Sequence, residues 1–144
     1  MKKITLLFTF SVLLLSLGAQ IPNAGFEDWT SMGSYNNPND WGTLNDVTMI
    51  MSTFTCAKGS PGNPGSSYIK LTSKTVTGMG IVPGIALTGN VDIATLSLTG
   101  GFPYTSRPVS LAGNWQYMAF GSDQGFIAVY LSKWNTASHS RDSV

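Results

Sequence analysis

The sequence has few ionisable side chains, with 8 Lys and Arg, 7 Asp and Glu and a single His among 144 residues. Charged residues make up 10% of the chain, against about 25% in a typical globular domain. The formal net charge of +1 supplies no basic field, which excludes nucleic-acid binding through phosphate contacts. The single cysteine, Cys56, excludes an intramolecular disulfide framework and a multi-cysteine zinc site. We expect it to be a small buried hydrophobe.

Groups for acid–base or nucleophilic catalysis are equally scarce. His139, in a Ser-rich terminal segment, is the one histidine that could activate the distant Cys56. Hydrolysis of a glycosidic bond needs two carboxyls that flank it. The mature chain has one Glu and six Asp, and no pair has a spacing that indicates an acid and a nucleophile. The sequence therefore favours a non-catalytic protein, with a carbohydrate-active enzyme as an alternative.

The one long apolar run lies at the N-terminus. Two lysines precede the run 4–17, and the small residues Gly18 and Ala19 follow it. This order is typical of a secretory signal peptide, and the run falls short of the roughly 20 residues that span a bilayer. We expect cleavage after Ala19, with a membrane anchor as the alternative. The predicted product is an exported chain without a membrane span, whose residues 20–144 fit one domain.

The mature chain is predicted to be all-β, because short runs of β-branched and aromatic residues alternate with segments rich in Gly, Asn and Pro. No convincing amphipathic helix follows residue 19. Many short strands with regular glycine-rich breaks predict an antiparallel β-sandwich or a barrel. The predicted strands are 47–55, 68–74, 81–87 with a break at Pro83-Gly84, 93–98, 115–120 and 126–134. The predicted turns include Thr77-Gly78, Thr88-Gly89-Asn90, Gly100-Gly101 and Gly121-Ser122-Asp123.

The last residues predict a hairpin, with a loop over 135–140 and the first residues of another strand at 141–144. The predicted strands number six or seven, and a closed sandwich needs at least one more. The sequence therefore predicts a sandwich that is incomplete at its C-terminus, as in a fragment of a longer protein. A frayed polar terminus is the alternative.

Aromatic residues are the most informative feature of the mature chain. In the predicted strand 126–134, alternate residues form one aliphatic face and one aromatic face. If the aliphatic face forms the core, the aromatic face is left beside polar side chains, where sugar rings can stack. The alternative is that the aromatic side chains form the core. The candidate ligand-binding residues are Phe126, Tyr130, Trp134 and Arg107.

Two motifs stand near the mature N-terminus, N-A-G-F-E-D-W at 23–29 and N-P-N-D-W at 37–41. Together with the segments 100–108 and 113–117, their order and spacing resemble the carbohydrate metabolism domain of secreted Bacteroidetes proteins. The resemblance covers nearly all of the mature chain. It implies a carbohydrate-binding-like β-jelly-roll of the galactose-binding type, in a protein that often carries a type IX secretion sorting domain.

The resemblance also implies roles for residues of the first motif. In related sugar-binding jelly-rolls the Glu of the G-F-E sequence helps to bind a structural calcium, which assigns Glu27 as a metal ligand. Physical reasoning gives Phe26, Trp29 and Trp41 a structural role, as anchors of the first strand and its loop. The function we expect is neutral-glycan binding by aromatic stacking and hydrogen bonds. The alternative is a structural or adhesive surface module without a small ligand.

Overall fold

A computed structural model describes residues 21–92, 94–95 and 97–144. The predicted signal peptide, residues 1–19, lies outside the described residues. The chain divides into two compact units, the first ending at Leu111 and the second spanning Ala112–Val144. Among the described residues, none of the helices is both long enough and apolar enough to cross a membrane.

Strands form most of the regular structure, so the prediction of an all-β chain is confirmed. Within the described residues, the helical elements are α1 (Asn45–Thr48) and a 3₁₀ turn (Met49–Met51). The strands of the first unit are β1 (Trp29–Ser31), β2 (Asn36–Pro38), β3 (Trp41–Thr43), β4 (Cys56–Gly59), β5 (Tyr68–Leu71), β6 (Lys74–Val76), β7 (Gly80–Val82), β8 (Ala86–Asp92) and β9 (Ser97–Gly100). The strands of the second unit are β10 (Ser132–Asn135) and β11 (Ser140–Ser143).

The strands pair as several small antiparallel sheets. One sheet has three strands in the order β3-β8-β9, and the other pairs are β1-β2, β4-β5, β6-β7 and β10-β11. The strand pairing of the described residues confirms no closed sandwich, so the jelly-roll topology stays a prediction. The three-stranded sheet brings the N-terminal motif next to a segment about fifty residues later, since Trp41 in β3 pairs with Thr88 and Gly89 in β8.

The interior of the first unit is small and partly polar. Its buried apolar side chains are Tyr35, Pro38, Cys56, Val76 and Val82, and its buried polar ones are Thr43, Asn45, Thr48, Thr55 and Ser67. Cys56 is buried as expected, and the loss of hydration raises the pKa of its thiol to about 11. Buried polar groups need hydrogen-bond partners, so much of this interior must be specified by side-chain hydrogen bonds.

The predicted strand 47–55 is wrong, because its first half forms the end of α1 and the 3₁₀ turn, and residues 52–55 are irregular before β4 begins at Cys56. A short apolar run cannot be assigned to a strand or a helix by periodicity alone. Here the hydrogen bonds decide, because both the amide and the hydroxyl of Thr48 donate to the carbonyl of Leu44, at 3.0 and 3.1 Å. The side chains of Met49 and Ile50 are exposed instead of lining a sheet.

The predicted strands 115–120 and 126–134 are also wrong, except for the end of the second. Regular structure begins only at Ser132, the first residue of β10. A strand needs a partner for its backbone N–H and C=O groups, and in the described structure no strand is paired with residues 115–130. The carbonyl of Leu131 already accepts the amide of Val144 at 3.0 Å, next to the β10–β11 pair. The predicted C-terminal hairpin is confirmed, because β10 and β11 pair in register across the turn at 136–139.

The predicted turn at Thr88-Gly89-Asn90 is wrong as well, because these residues lie inside β8. Gly89 has a φ of +129°, and a β-carbon on it would lie 2.5 Å from the carbonyl oxygen of Thr99. Glycine inside a strand marks a bulge or a close approach of two backbones. Both occur here, since Trp41 pairs with two successive residues of β8.

Candidate functional site

The tryptophans of the two N-terminal motifs hold the start of the described chain in place. The indole N–H of Trp29 donates to the carbonyl of Phe26 at 2.6 Å, and that of Trp41 donates to the carbonyl of Pro22 at 3.0 Å. The rings of Phe26 and Trp41 pack with their centroids 4.9 Å apart. The structural role expected of these three aromatic residues is therefore present.

Asn23 joins the two motifs through its side-chain amide. Its Nδ2 donates to the carbonyls of Asp28 and Asn39, at 2.8 and 3.0 Å, and its Oδ1 accepts the amide of Asp28 at 3.1 Å. Asn23 has a φ of +45°, a left-handed conformation that Asn tolerates better than most residues. The side chain of Asn23 thus ties the first motif to the second.

The carboxylate of Glu27 fixes the loop that precedes β5. It accepts hydrogen bonds from the amide and the hydroxyl of Ser66 and from the amide and the hydroxyl of Ser67, the latter two at 3.0 Å. The hydroxyl of Ser66 is the largest cause that lowers the pKa of Glu27 to about 2, followed by the amide of Ser67. Glu27 is therefore a charged acceptor in a ring of donors.

This ring of donors does not fit a calcium ion. Calcium prefers carboxylate and carbonyl oxygens around it, whereas N–H and O–H groups stabilise an anion. Among the described residues, no group of three or more His, Cys, Asp or Glu side chains is placed to hold a metal. The metal role of Glu27 stays a prediction, and the loop contact is the role that its neighbours support.

A cleft of about 290 Å³ lies on the three-stranded sheet of the first unit. Residues of β3 and β8, the segment after β9 and the N-terminal segment surround it. We call it the sheet cleft. Its lining residues are Pro22, Asp40, Trp41, Thr88, Gly89, Asn90, Gly101 and Phe102.

The sheet cleft is bordered by backbone where three strands come close together. Gly89 and Gly100 have φ values of +129° and +128°. A β-carbon on Gly100 would lie 2.5 Å from the Cα of Gly89, so side chains are excluded between β8 and β9. Gly101, with a φ of +93°, extends this side-chain-free surface into the cleft lining. A ligand can therefore approach the backbone closely at this point.

Three short polar side chains line the sheet cleft. Among the described residues, the side chains of Asp40, Thr88 and Asn90 have no hydrogen-bond partner. Polar side chains next to the cleft are paired by contrast, since the hydroxyl of Thr30 donates a hydrogen bond to Asn39 Oδ1 at 2.7 Å and that of Thr43 donates to Asn37 Oδ1 at 2.9 Å. The amides and hydroxyls around the cleft thus maintain the fold, and those within it remain available to a ligand.

The residues predicted to bind a ligand are accessible, and they belong to different units of the chain. Phe126 and Tyr130 are 90% and 86% exposed on irregular chain, and Trp134 is 54% exposed in β10. No ring contact links these three within the described part of the second unit. Arg107 belongs to the first unit, where it is exposed on irregular chain.

Trp134 borders a second cleft, of about 420 Å³, on the β10–β11 hairpin. Polar side chains accompany the indole there, but two of them are engaged, since Asn135 Nδ2 donates to Asp142 Oδ2 at 2.7 Å. The lining residues are Lys133, Trp134, Asn135, Thr136, Asp142, Ser143 and Val144. The ligand-binding role of Trp134 stays a prediction.

Sequence reasoning missed the members of the sheet cleft as ligand candidates and gave Trp41 a structural role. Asp40 lies inside a recognised motif, yet nothing in the sequence separates it from the structural Asn39 beside it. The available signal was the pair of glycine sites at Gly89 and Gly100, which were interpreted as turns. Opposed glycines on neighbouring strands indicate a close backbone approach, and that register is what brings Asn90 towards Trp41.

Known proteins give no further guide to this site. No family model matches the chain, and neither a curated protein nor a solved structure matches it. The resemblance to the carbohydrate metabolism domain therefore stays a prediction, and the function has to be argued from the sheet cleft itself.

Proposed function

We propose that this protein is an exported, non-catalytic module that binds neutral carbohydrate by aromatic contact and hydrogen bonds. The observation that carries the proposal is the sheet cleft, where Trp41 and Phe102 accompany the unpaired side chains of Asp40, Thr88 and Asn90. A sugar ring offers apolar C–H faces and hydroxyl edges, so it needs aromatic surface and polar groups in one concave site.

The charge of the sheet cleft supports a neutral ligand. Its lining contains one carboxylate, that of Asp40, and no Lys or Arg. An anionic ligand would meet no opposite charge there. The composition of the chain agrees, because 10% charged residues leave hydroxyls and amides to form most of its polar surface. Such groups match the hydrogen-bonding hydroxyls of neutral sugars.

The same lining supports binding without hydrolysis. Glycoside hydrolases use two carboxyl groups on either side of the scissile bond, separated by about 5–10 Å. Asp40 is the sole carboxylate among the residues that line the sheet cleft. Glu27, the one Glu of the mature chain, directs its carboxylate at Ser66 and Ser67.

Export and fold complete the proposal. Export rests on the signal peptide predicted at residues 1–19, with its basic start, apolar run and small residues before the cleavage point. A jelly-roll of the galactose-binding type, as in the carbohydrate metabolism domain, is supported by the motif order and by the antiparallel pairing of the strands.

A neutral-glycan array and affinity electrophoresis in soluble polysaccharides, with the chain purified after export, test the proposal. We expect saturable retention by at least one neutral glycan, and weaker retention for Phe102→Ala. Tyr130→Ala and Trp134→Ala in the second unit test the residues predicted from the sequence in the same assay. Absence of binding to every neutral glycan by the folded chain would contradict the function.

A structural or adhesive module is the second candidate, and one observation favours it. The second unit exposes a run of large apolar side chains, including Trp115, Met118, Phe120, Phe126 and Ile127. Exposed apolar surface of this kind is typical of interaction sites between proteins. Sedimentation velocity over a range of concentrations tests this candidate, since self-association should increase with concentration and decrease for Phe120→Ser.

A further inference from the structure

We infer that the sheet cleft receives a single neutral sugar ring, and that the Asp40 carboxylate accepts hydrogen bonds from two adjacent hydroxyls of that ring and excludes acidic sugars. The inference rests on the proposed function and specifies its ligand class, its stoichiometry at the site and the residue that determines specificity.

The volume of the sheet cleft matches one sugar ring. Its volume of about 290 Å³ lies at the lower end of the roughly 300–1,000 Å³ range of small-molecule pockets. At about 30 Å³ for each water molecule, the space corresponds to about ten waters. One pyranose ring with its hydroxyls displaces roughly six waters and fits this space, whereas two linked rings displace roughly twelve and exceed it. The cleft is therefore suited to a chain end or a monosaccharide.

The position of Asp40 suits a hydroxyl acceptor. Asp40 has a φ of +65° and immediately precedes Trp41, so the backbone turns at the rim of the cleft. Its carboxylate is exposed and, within the described chain, unpaired. An ionised carboxylate accepts hydrogen bonds at both oxygens, and hydrogen bonds to a charged acceptor are stronger than neutral ones. Two adjacent hydroxyls of a sugar match this pair of oxygens.

The remaining groups of the cleft complement that contact. Thr88 and Asn90 lie on β8 and provide neutral donors and acceptors. Phe102 is half-buried and its ring meets Tyr104 edge to face, with centroids 5.9 Å apart. Such a contact restricts the Phe102 ring, which can then present a fixed apolar surface to the C–H face of the sugar.

The same carboxylate gives the site its selectivity. A uronic acid or another acidic sugar would bring a second negative charge close to Asp40, with no Lys or Arg among the lining residues to compensate for it. Specificity often depends on such a repulsive element as much as on the attractive contacts. Replacement of Asp40 by Asn should therefore weaken the binding of neutral sugars and also remove the discrimination against acidic sugars.

Matched glycoside pairs test the inference. The chain purified after export is titrated by calorimetry and by saturation-transfer NMR with the methyl glycosides of glucose, galactose and mannose and with the corresponding methyl uronides. We expect binding of at least one neutral glycoside and at least tenfold weaker binding of its uronide, about 1.4 kcal/mol. Extending that glycoside to a tetrasaccharide should improve affinity by less than about threefold, because further rings lie outside the cleft.

Two variants and two controls identify the residues. Asp40→Asn should lower the affinity for the neutral glycoside by roughly tenfold to a hundredfold, because a charged hydrogen-bond acceptor is lost. The affinity for the uronide should become similar, because the repulsion between two carboxylates is also lost. Asn also tolerates the left-handed backbone, so folding is preserved. Phe102→Ala should weaken the binding of both the neutral glycoside and its uronide. Asp28→Asn, at an exposed carboxylate outside the cleft lining, and Phe120→Ala, at an exposed ring in the second unit, should leave binding unchanged.

The outcomes separate this inference from the proposed function. If no neutral saccharide binds at all, the function fails. If a neutral glycan binds but the affinity is insensitive to Asp40→Asn and Phe102→Ala, the function stands and the inference is overturned. Equal affinity for the uronide in the unmodified chain, or a tenfold gain for the tetrasaccharide, also overturns it.

Discussion

Asn45 pairs with the backbone of Cys56 as a residue of an adjacent strand would. Its Nδ2 donates to the carbonyl of Cys56 at 2.9 Å, and its Oδ1 accepts the amide of Cys56 at 3.0 Å. Asn45 is completely buried and begins α1, whereas Cys56 begins β4. One side-chain amide thus satisfies both backbone groups of Cys56 and ties the helical turn to the β4–β5 sheet.

Replacement of Asn45 should therefore destabilise the first unit. Asn45→Asp keeps the shape but places an acceptor against the carbonyl of Cys56, and a buried unsatisfied group costs about 1–3 kcal/mol, more when it is charged. We expect the free energy of unfolding to fall by about 2–4 kcal/mol in urea titrations followed by tryptophan fluorescence. The deficit should shrink as the pH is lowered, because a protonated carboxyl regains a donor.

Asn36→Asp is the matched control for this variant. Asn36 is exposed in β2, and surface substitutions usually change stability by less than about 0.5 kcal/mol. Equal effects of the two substitutions would contradict the assigned pairing of Asn45 with Cys56.

Glu27 should make the stability of the first unit depend on pH in the acid range. Its hydrogen bonds to Ser66 and Ser67 lower its pKa from the ordinary 4.5 to about 2. A lowered pKa in the folded state means that the unfolded chain binds the proton first as the pH falls. The contribution of Glu27 is therefore complete above about pH 4.5 and is lost between about pH 4.5 and pH 2.

Glu27→Gln isolates this contribution. The variant should be less stable than the original chain at pH 7, and the difference should decrease through that acid window and vanish near its lower limit. Urea titrations at successive pH values measure the difference directly, and the ¹³C chemical shift of the Glu27 carboxyl gives its pKa. The amides of Thr95 and Ala94 also lower the pKa of Asp92. Because Asp92 is present in both proteins, its contribution to the pH dependence cancels when their free energies of unfolding are subtracted. A difference that does not change with pH would refute the loop contact.

The phenol of Tyr35 should act at the opposite end of the pH scale. Its hydroxyl donates to Asp46, and this hydrogen bond, more than burial, raises its pKa from 10.0 to about 12. Because the folded-state pKa is raised, the contribution to stability is complete below about pH 10 and is lost as the pH rises from about 10 to about 12.

Tyr35→Phe should reduce the free energy of unfolding by about 1.5–3 kcal/mol at pH 7, the usual range for a hydrogen bond to a charged group. The stacked contact with Phe54, with centroids 5.0 Å apart, is retained, so packing should change little. In an alkaline absorbance titration, the variant should lack the tyrosine that ionises at a pH of about 12. Tyr68→Phe, at an exposed ring, is the control and should have no measurable effect on stability.

Phe126 provides a test of the irregular segment that was predicted as a strand. In a paired strand with a buried aromatic face, Phe→Ala would cost about 3–5 kcal/mol. At 90% exposure, we expect Phe126→Ala to change the free energy of unfolding by less than about 0.5 kcal/mol. A large loss of stability would instead favour the predicted strand 126–134.

The errors of the sequence analysis have a common physical origin. The C-terminal hairpin and the break at Pro83-Gly84 were predictable because local turn chemistry determines them. The strand at 126–134 was predicted from alternation, but alternation supplies no pairing partner. Contacts of long sequence separation were also invisible, as for Asn45 with Cys56 or Glu27 with Ser66, because the side-chain types alone do not specify their partners.

The sheet cleft itself depends on one glycine position that can be tested. Gly89→Ala would place a β-carbon 2.5 Å from the carbonyl oxygen of Thr99 at a φ of +129°. Strained backbone costs about 1–3 kcal/mol and overpacking adds a similar amount, so we expect a loss of about 2–4 kcal/mol together with weaker glycan binding. Gly25→Ala is the control in the same unit, because its β-carbon would only touch Glu27 Cγ at 3.6 Å. If both variants were equally stable, the close approach of β8 and β9 would be wrong, and with it the backbone border of the cleft.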